Sequence, residues 1–386
     1  MIDVCVVVEG NYPYVTGGVS QWVDGLLHGM PDLDFAVAHV RAEGTCSPSP
    51  AYRPPAGVEV TCVEVEGRRM TPEPGTDALL PEARVYHATS TGTSGELARR
   101  AAGERGAGFA LTEHGLAWRD IVMMPKVPRS HHVRPDLDPV ISAEVRRELA
   151  TDAFRLARRA YAEAGAVTSV CSSNAAVQAA AGASRDRLRV IPNPVTAVAH
   201  RPGGSHDGFL TGFVGRVAPE KDLGTLLRAC RLVADARDDA RFVVVGPLDQ
   251  DPGYADECFE LVTELGLGER IAFTGETDPA PWYARMDVLA LTSTTEAQPL
   301  VALEAMAAGV PVVATDVGGC REAIGDAGLL TRAGDPAATA AALLRLAGDD
   351  LLRARLGAAG RRRASTTHDP GRVYGAYREM YERLAA

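Results

Sequence analysis

The chain has 386 residues, a formal net charge of -10 from 40 Lys and Arg against 50 Asp and Glu, and 46% hydrophobic residues. That length implies about two domains at ~150 residues each, with enough apolar content for sizeable cores. The acidic balance argues against nonspecific attachment to nucleic acid or to an anionic membrane, and no nucleic-acid motif is visible. No apolar run approaches the roughly 18 to 20 residues of a membrane span, so no integral membrane segment is predicted. The opening "MIDVCVVVEG" lacks a basic n-region, and a cytoplasmic enzyme is the expected class. Seven cysteines are scattered without a CxxC or a Cys/His cluster, which argues against a disulfide framework or a structural zinc.

In chain order, "DVCVVVEG" reads as a buried strand ending at Gly10 and "SQWVDGLLHGM" as a helix. "FAVAHV", "VEVTCVEV", "VYHATS" and "GFALTEHG" read as further strands, followed by "AVTSVCSSN" and "LRVIPNPV". The stretch from 196 to 207, rich in Gly, Pro and His, reads as a linker. Beyond it the alternation restarts: "FLTGFVGRV", "RFVVVGP", "RIAFTG", "DVLALTS", "PVVAT" and "AGLLT" are strands, with helices such as "DLGTLLRACRLVADA" and "DECFELVTELG" between them. Short β-branched runs alternating with helices, twice over, predict two doubly wound α/β units, a domain at 1–200 and another at 207–369. The closing segment 370–386 carries Val373, Tyr377, Met380, Tyr381 and Leu384 at helical spacing, an apolar stripe expected to pack back on the first domain. Ligands of such sheets bind beyond the carboxyl ends of the strands, so two facing units imply a cleft.

The stretch "STTEAQPLVALEAMAAG", residues 293 to 309, holds Glu296 and Glu304 about a helix start. Pro299 suits the first helical position, and Gly309 with Pro311 suits the end, which predicts a helix from about 299 to 308. The early amides, those of Leu300 and Val301, have no intrahelical acceptor and favour an anion such as phosphate. A diphosphate there leaves a sugar beside Glu296 and a ribose beside Glu304; an ordinary loop acid and an ordinary helix acid satisfy the same pattern. "GFVGRVAPEKD" places Arg216 and Lys221 just after a strand, as two cations that neutralise a diphosphate or as solvated surface cations. "EGNYPYVTGGVSQW" places Gly17 and Gly18 before a helix, where backbone is open to a ligand or simply turns. "TEHG" ends a strand with Glu113 and His114, and "YHATSTGTSGELA" ends another with hydroxyl residues, Thr91 among them, as a cap or as an acceptor wall. The triplets Asp32 to Asp34 and Asp136 to Asp138 follow no credible nucleotide-binding strand, and no metal is predicted.

Together these segments resemble the retaining family-four glycosyltransferases of two-Rossmann "GT-B" architecture over almost the whole chain, and within them the PelF-type branch. The resemblance implies Glu296 and Glu304 as the donor motif, with Ala297, Gln298, Pro299, Leu300 and Val301 lining the donor. It implies Arg216 and Lys221 at the diphosphate and His114 at the reacting sugar, with Gly17, Gly18 and Gly215 near the donor. Thr91, Glu113 and His114 fall on the acceptor side. The implied reaction is retaining, metal-independent transfer of a hexose-type sugar from a nucleotide sugar, a UDP-sugar ahead of a GDP-sugar, to a small-molecule or glycan acceptor, with no cofactor. Two departures stand out: Ala297 follows Glu296 where the common motif has Gly, and segment 120–140, with Lys126, Arg129, His131, His132 and Arg134, differs from the polysaccharide enzymes. It reads as an acceptor lid or as a solvated loop. A nucleotide-sugar hydrolase or epimerase, and a noncatalytic nucleotide-sugar-binding subunit, are the competing readings.

Overall fold

A computed structural model describes residues 1–43, 49–66, 71–123, 142–196 and 208–386. Most of the segment from 120 to 140, including its basic residues and Asp136 to Asp138, and nearly all of the linker at 196–207 lie outside these residues. The chain divides into two compact units, one formed by Met1–Asn193 with Pro370–Ala386 and the other by Pro194–Asp369.

Unit 1 is built on strands β1 Ile2–Glu9, β2 Phe35–Ala42, β3 Glu59–Val65, β4 Ala83–Ala88, β5 Gly108–Glu113, β6 Ala166–Ser169 and β7 Leu188–Val190. They form one sheet in the order β3-β2-β1-β4-β5-β6-β7, parallel at every pairing. The alternation of β1 shows why both faces are covered. Cys5 and Val7 enter one core with Tyr86, Leu97 and Leu111, while Val4, Val6 and Val8 enter another with Trp22, Leu26 and Val37. Successive side chains of a strand point to opposite faces, so a run of valines without polar interruption demands helices on both sides.

Helix Pro370–Ala385 supplies part of the second of those cores. Val373, Tyr377, Met380 and Tyr381 are buried there beside Trp22, Val23 and Phe35, and Leu384 packs at the edge. The stripe read at helical spacing is therefore the face that this helix buries, and an Arg378–Asp32 ion pair holds its outer side.

Unit 2 contains β8 Phe209–Val214, β9 Ala240–Val245, β10 Ile271–Phe273, β11 Val288–Leu291, β12 Val312–Thr315 and β13 Gly328–Thr331, in the order β10-β9-β8-β11-β12-β13 and again parallel. Phe209, Phe213 and Val244 face one core, and Leu210, Val214 and Val243 face the other. In both sheets the strand order reverses beside the first strand, between β1 and β4 and between β8 and β11. Such a reversal leaves a crevice at the carboxyl ends, because the two neighbouring connections depart to opposite faces.

Candidate active site

The reversal in unit 2 brings together two loops far apart in sequence. After β8 the chain passes Gly215 and exposed Arg216, then forms a short turn at Pro219–Lys221 ending in Asp222, whose φ of 47° is the one positive value at a described residue other than glycine. Asp222 also caps the next helix, its carboxylate accepting from Thr225 N at 3.1 Å. After β11, Thr292 Oγ donates to the carbonyl of Asp222 at 2.9 Å and Thr294 N to that of Glu220 at 2.8 Å. Lys221 is thus held from both strand ends, and the left-handed backbone that costs energy falls on its neighbour Asp222.

The lysine side chain closes the arrangement. Lys221 Nζ donates to Glu296 Oε1 at 2.6 Å, and Ser293 Oγ donates to the same oxygen at 2.8 Å. Arg216 is more exposed and reaches Glu220 Oε1 at 2.8 Å and Gln250 Oε1 at 3.3 Å. Behind Glu296 the loop is fixed by its own carbonyl, which accepts from Gly319 N at 3.1 Å. Gly318, with φ of 50°, lies so close to that carbonyl that an added Cβ has no room.

The helix that follows runs Leu300–Ala308, with Pro299 as its N-cap rather than its first residue, and no side chain caps it. The difference of one residue follows from Pro299's ψ of 109°, an extended value that leaves it half in the helix. The first helical amides to find acceptors are those of Ala302 and Leu303, both on the Pro299 carbonyl. The amides of Leu300 and Val301 precede them and sit at the positive end of the helix dipole. Gly309, with φ of 81°, ends the helix, its N bonding Met306 O while Val310 N reaches Ala305 O. Within "LVALEAMAA" Glu304 is the lone charged residue. It accepts a hydrogen bond from the buried Tyr283 hydroxyl at 2.8 Å. Ala297 is half-buried, and Gln298 and Pro299 are buried in the same loop.

Unit 1 holds the remaining candidates at or beyond the carboxyl ends of its strands β1, β4 and β5. Gly17 and Gly18 are exposed at the start of helix Gly18–Gly29, and the space before Gly17 is open. His114 stacks edge-on against Trp22 with ring centroids 4.7 Å apart, and its buried Nε2 lacks a partner among the described residues. Removal from water pushes its pKa down to about 4, so the ring is neutral near pH 7. Thr91 and Glu113 face each other: Thr91 Oγ donates to Glu113 Oε1 at 3.0 Å, and Gln178 Nε2 and the Tyr161 hydroxyl donate to Oε2. Burial raises the Glu113 pKa and these donors lower it in part, the pattern of a carboxylate bound into the core.

Sequence reasoning missed Tyr283, Ser293 and Glu9. Glu9 ends β1, and its Oε2 accepts from Ser94 N and Ser90 Oγ at the start of helix Thr93–Arg105, whose own N-cap is Gly92 without a side chain. The hydroxyl-rich segment, read as a cap or as an acceptor wall, receives its cap from another strand. A carboxylate directly after the valine run of β1 was a visible signal for Glu9, and hydroxyl-rich "TSTTE" one for Ser293. Among the described residues no group of three or more His, Cys, Asp or Glu side chains could hold a metal ion, and no helix is long and apolar enough to cross a membrane.

Residues 208–349 match the family described as Glycosyl transferases group 1, and residues 2–78 and 75–186 match a Domain of unknown function (DUF3492). A D-inositol 3-phosphate glycosyltransferase of Streptomyces avermitilis is 36% identical over 193 residues, 47% of this chain and 41% of that protein. One of the same name from Thermomonospora curvata is 36% identical over 211 residues, 48% of this chain and 49% of that protein. The chain thus spans less than half the length of each of these relatives. In three dimensions the chain is similar to Anabaena Alr3699/HepE in complex with UDP and glucose, with a TM-score of 0.74, 19% identity and full coverage of both chains. Sucrose-phosphate synthase from Thermosynechococcus elongatus gives 0.77 at 20% identity, covering 98% of each. The chain has the GT-B glycosyltransferase fold, and its second unit is similar in sequence to the group 1 glycosyl transferases.

Proposed function

We propose that the chain is a retaining, metal-independent glycosyltransferase of the family-four, PelF-like type, moving a hexose-type sugar from a nucleoside-diphosphate sugar to a small-molecule or glycan acceptor. The observation that carries this reading is the cluster at the β8–β11 reversal. There Lys221 sits on Glu296 beside an uncapped helix start, with Glu304 as the one charge in an otherwise apolar helix. In this reading the diphosphate rests on the Leu300 and Val301 amides, Arg216 and Lys221 neutralise it, Glu296 orients sugar hydroxyls and Glu304 accepts from ribose. As the bond from the anomeric carbon to phosphate breaks, charge grows on the leaving diphosphate, and cations already in place stabilise it without reorganising. The acceptor oxygen bonds to the same face of that carbon and passes its proton to a donor phosphate oxygen, so the anomeric configuration is kept. In this reading His114, neutral near pH 7, meets the reacting sugar. The UDP present with Anabaena Alr3699/HepE supports UDP-sugars, ahead of GDP-sugars, as the first donors to try.

The test is incubation of the full chain with a UDP-hexose panel and pooled acceptors, read by mass spectrometry and by nuclear magnetic resonance of the fresh product. Transfer with retained configuration is expected. Inversion refutes the mechanism, free sugar formed without any acceptor identifies a hydrolase, and tight donor binding without turnover across the panel identifies a noncatalytic subunit.

A further inference from the structure

Resting on the reading of Glu304 as the ribose ligand, we infer that Tyr283 is a positioning residue. Its hydroxyl holds the Glu304 carboxylate in the orientation that a vicinal ribose diol requires, and so makes the site selective for ribonucleotides over deoxyribonucleotides.

Three observations converge on it. Tyr283 is 2% exposed, and its hydroxyl donates to Glu304 Oε2 at 2.8 Å. The ring is fixed: it ends the short helix Ala280–Tyr283 and packs in the core with Met286, Leu289, Ala302 and Met306, the last two from Glu304's own helix. The outer side of this turn is held as well, because Arg285 lies over the Trp282 ring at 4.8 Å. Burial, then the charge of Glu304 and the hydrogen bond to it, push the Tyr283 pKa well above its ordinary value, so the hydroxyl stays a donor.

The chemistry explains why a donor is useful there. A glutamate on a helix turns about its last torsion with little preference, and ordering it on ligand binding costs entropy. A donor from a rigid buried ring fixes one oxygen beforehand. Each carboxylate oxygen has two lone pairs, so one hydrogen bond from Tyr283 does not exhaust what a carboxylate can accept. The competing explanation is that Glu304 merely satisfies a buried hydroxyl, with no bearing on ligand. The two differ in what Tyr283→Phe does to different ligands.

The experiment is calorimetric titration of the full chain with UDP and with 2′,3′-dideoxy-UDP, for wild type, Tyr283→Phe, Glu304→Gln and the double variant, each checked for an unchanged melting transition. Tyr283→Phe is expected to weaken UDP binding on the order of tenfold, as for loss of a hydrogen bond to a charged group. It should leave dideoxy-UDP within about twofold of wild type, and add little to Glu304→Gln in the double variant. Equal loss for both ligands, or no loss for either, overturns the positioning role. If Glu304→Gln itself leaves UDP binding intact, the ribose assignment fails first; if Glu304→Gln weakens UDP binding and Tyr283→Phe does not, only the role of Tyr283 fails.

Discussion

Lys221 and Glu296 are 75 positions apart and 2.6 Å apart in space. Because a diphosphate is more negative as it leaves than in the ground state, a cation here acts chiefly on turnover. Lys221→Ala should lower turnover at saturating donor by ~100-fold or more with a smaller change in donor affinity; steady-state kinetics checks this, and near-normal turnover makes Lys221 a surface cation. The histidines give a prediction of another kind. His87 lies fully buried between the Tyr381 hydroxyl and Thr112 Oγ, and burial with the nearby His114 pushes its pKa down to about 3. A depressed histidine pKa means that the unfolded chain binds protons the folded chain refuses. Stability is therefore full above about pH 6.5 and falls as pH drops toward 4, by up to about 1.4 kcal/mol per unit for each such group. Denaturant titrations at pH 7 and pH 5 should show the loss, and His87→Gln should reduce it; an unchanged slope would mean that His87 charges freely in the fold. At this scale the sequence exposes residue types but not partnerships. Lys221 stood out just after a strand and Glu296 just before a helix start, whereas Tyr283 is an aromatic in a short apolar helix and carries no local mark of the glutamate it holds.

The elements were legible wherever a short apolar run decided them. The valines of β1 and β9 admit only buried strands, and Gly309 stops its helix with the pair of bonds that a left-handed residue allows. What the sequence does not carry is closeness between backbones of different elements. Gly318 illustrates it: in sequence it is one of two glycines after β12, and in the structure it is the residue that lets that loop lie against the Glu296 carbonyl. Gly318→Ala should displace the Glu296 loop and reduce turnover on the order of 100-fold, since small misplacements at a reacting centre cost about that much. The melting transition should fall as well, because the added Cβ meets backbone and a φ of 50° is strained for alanine. Kinetics beside calorimetry decides the point, and a large stability loss with normal turnover in the surviving fold would make Gly318 purely structural. Helix Thr93–Arg105 teaches the same lesson. Its hydroxyl-rich start reads as a cap or as an acceptor wall, and the acceptor for Ser94 N comes from Glu9 on β1.

At the scale of the molecule, unit 2 is one continuous stretch and unit 1 is not. The buried face of helix Pro370–Ala385, with Tyr377 fully enclosed, completes a core otherwise built from the first part of the chain. Tyr377→Ala should cost about 3 to 5 kcal/mol, as for other buried aromatics cut back to alanine. Residues 194–369 expressed alone should fold and bind UDP, while residues 1–193 alone should not reach a native state; dispersed spectra and calorimetry of the two fragments check both statements. A well-folded 1–193 fragment would show that the helix is an accessory. This division has a consequence during synthesis. As the chain leaves the ribosome, the whole of unit 2 emerges before the helix that unit 1 is waiting for, and nascent domains usually mature in the order in which they are made. Here that order is reversed. The unit begun first is finished last, with the pocket for Tyr377 beside Trp22 open to chaperones throughout the translation of some 180 intervening codons, on the order of ten seconds or more at ordinary elongation rates.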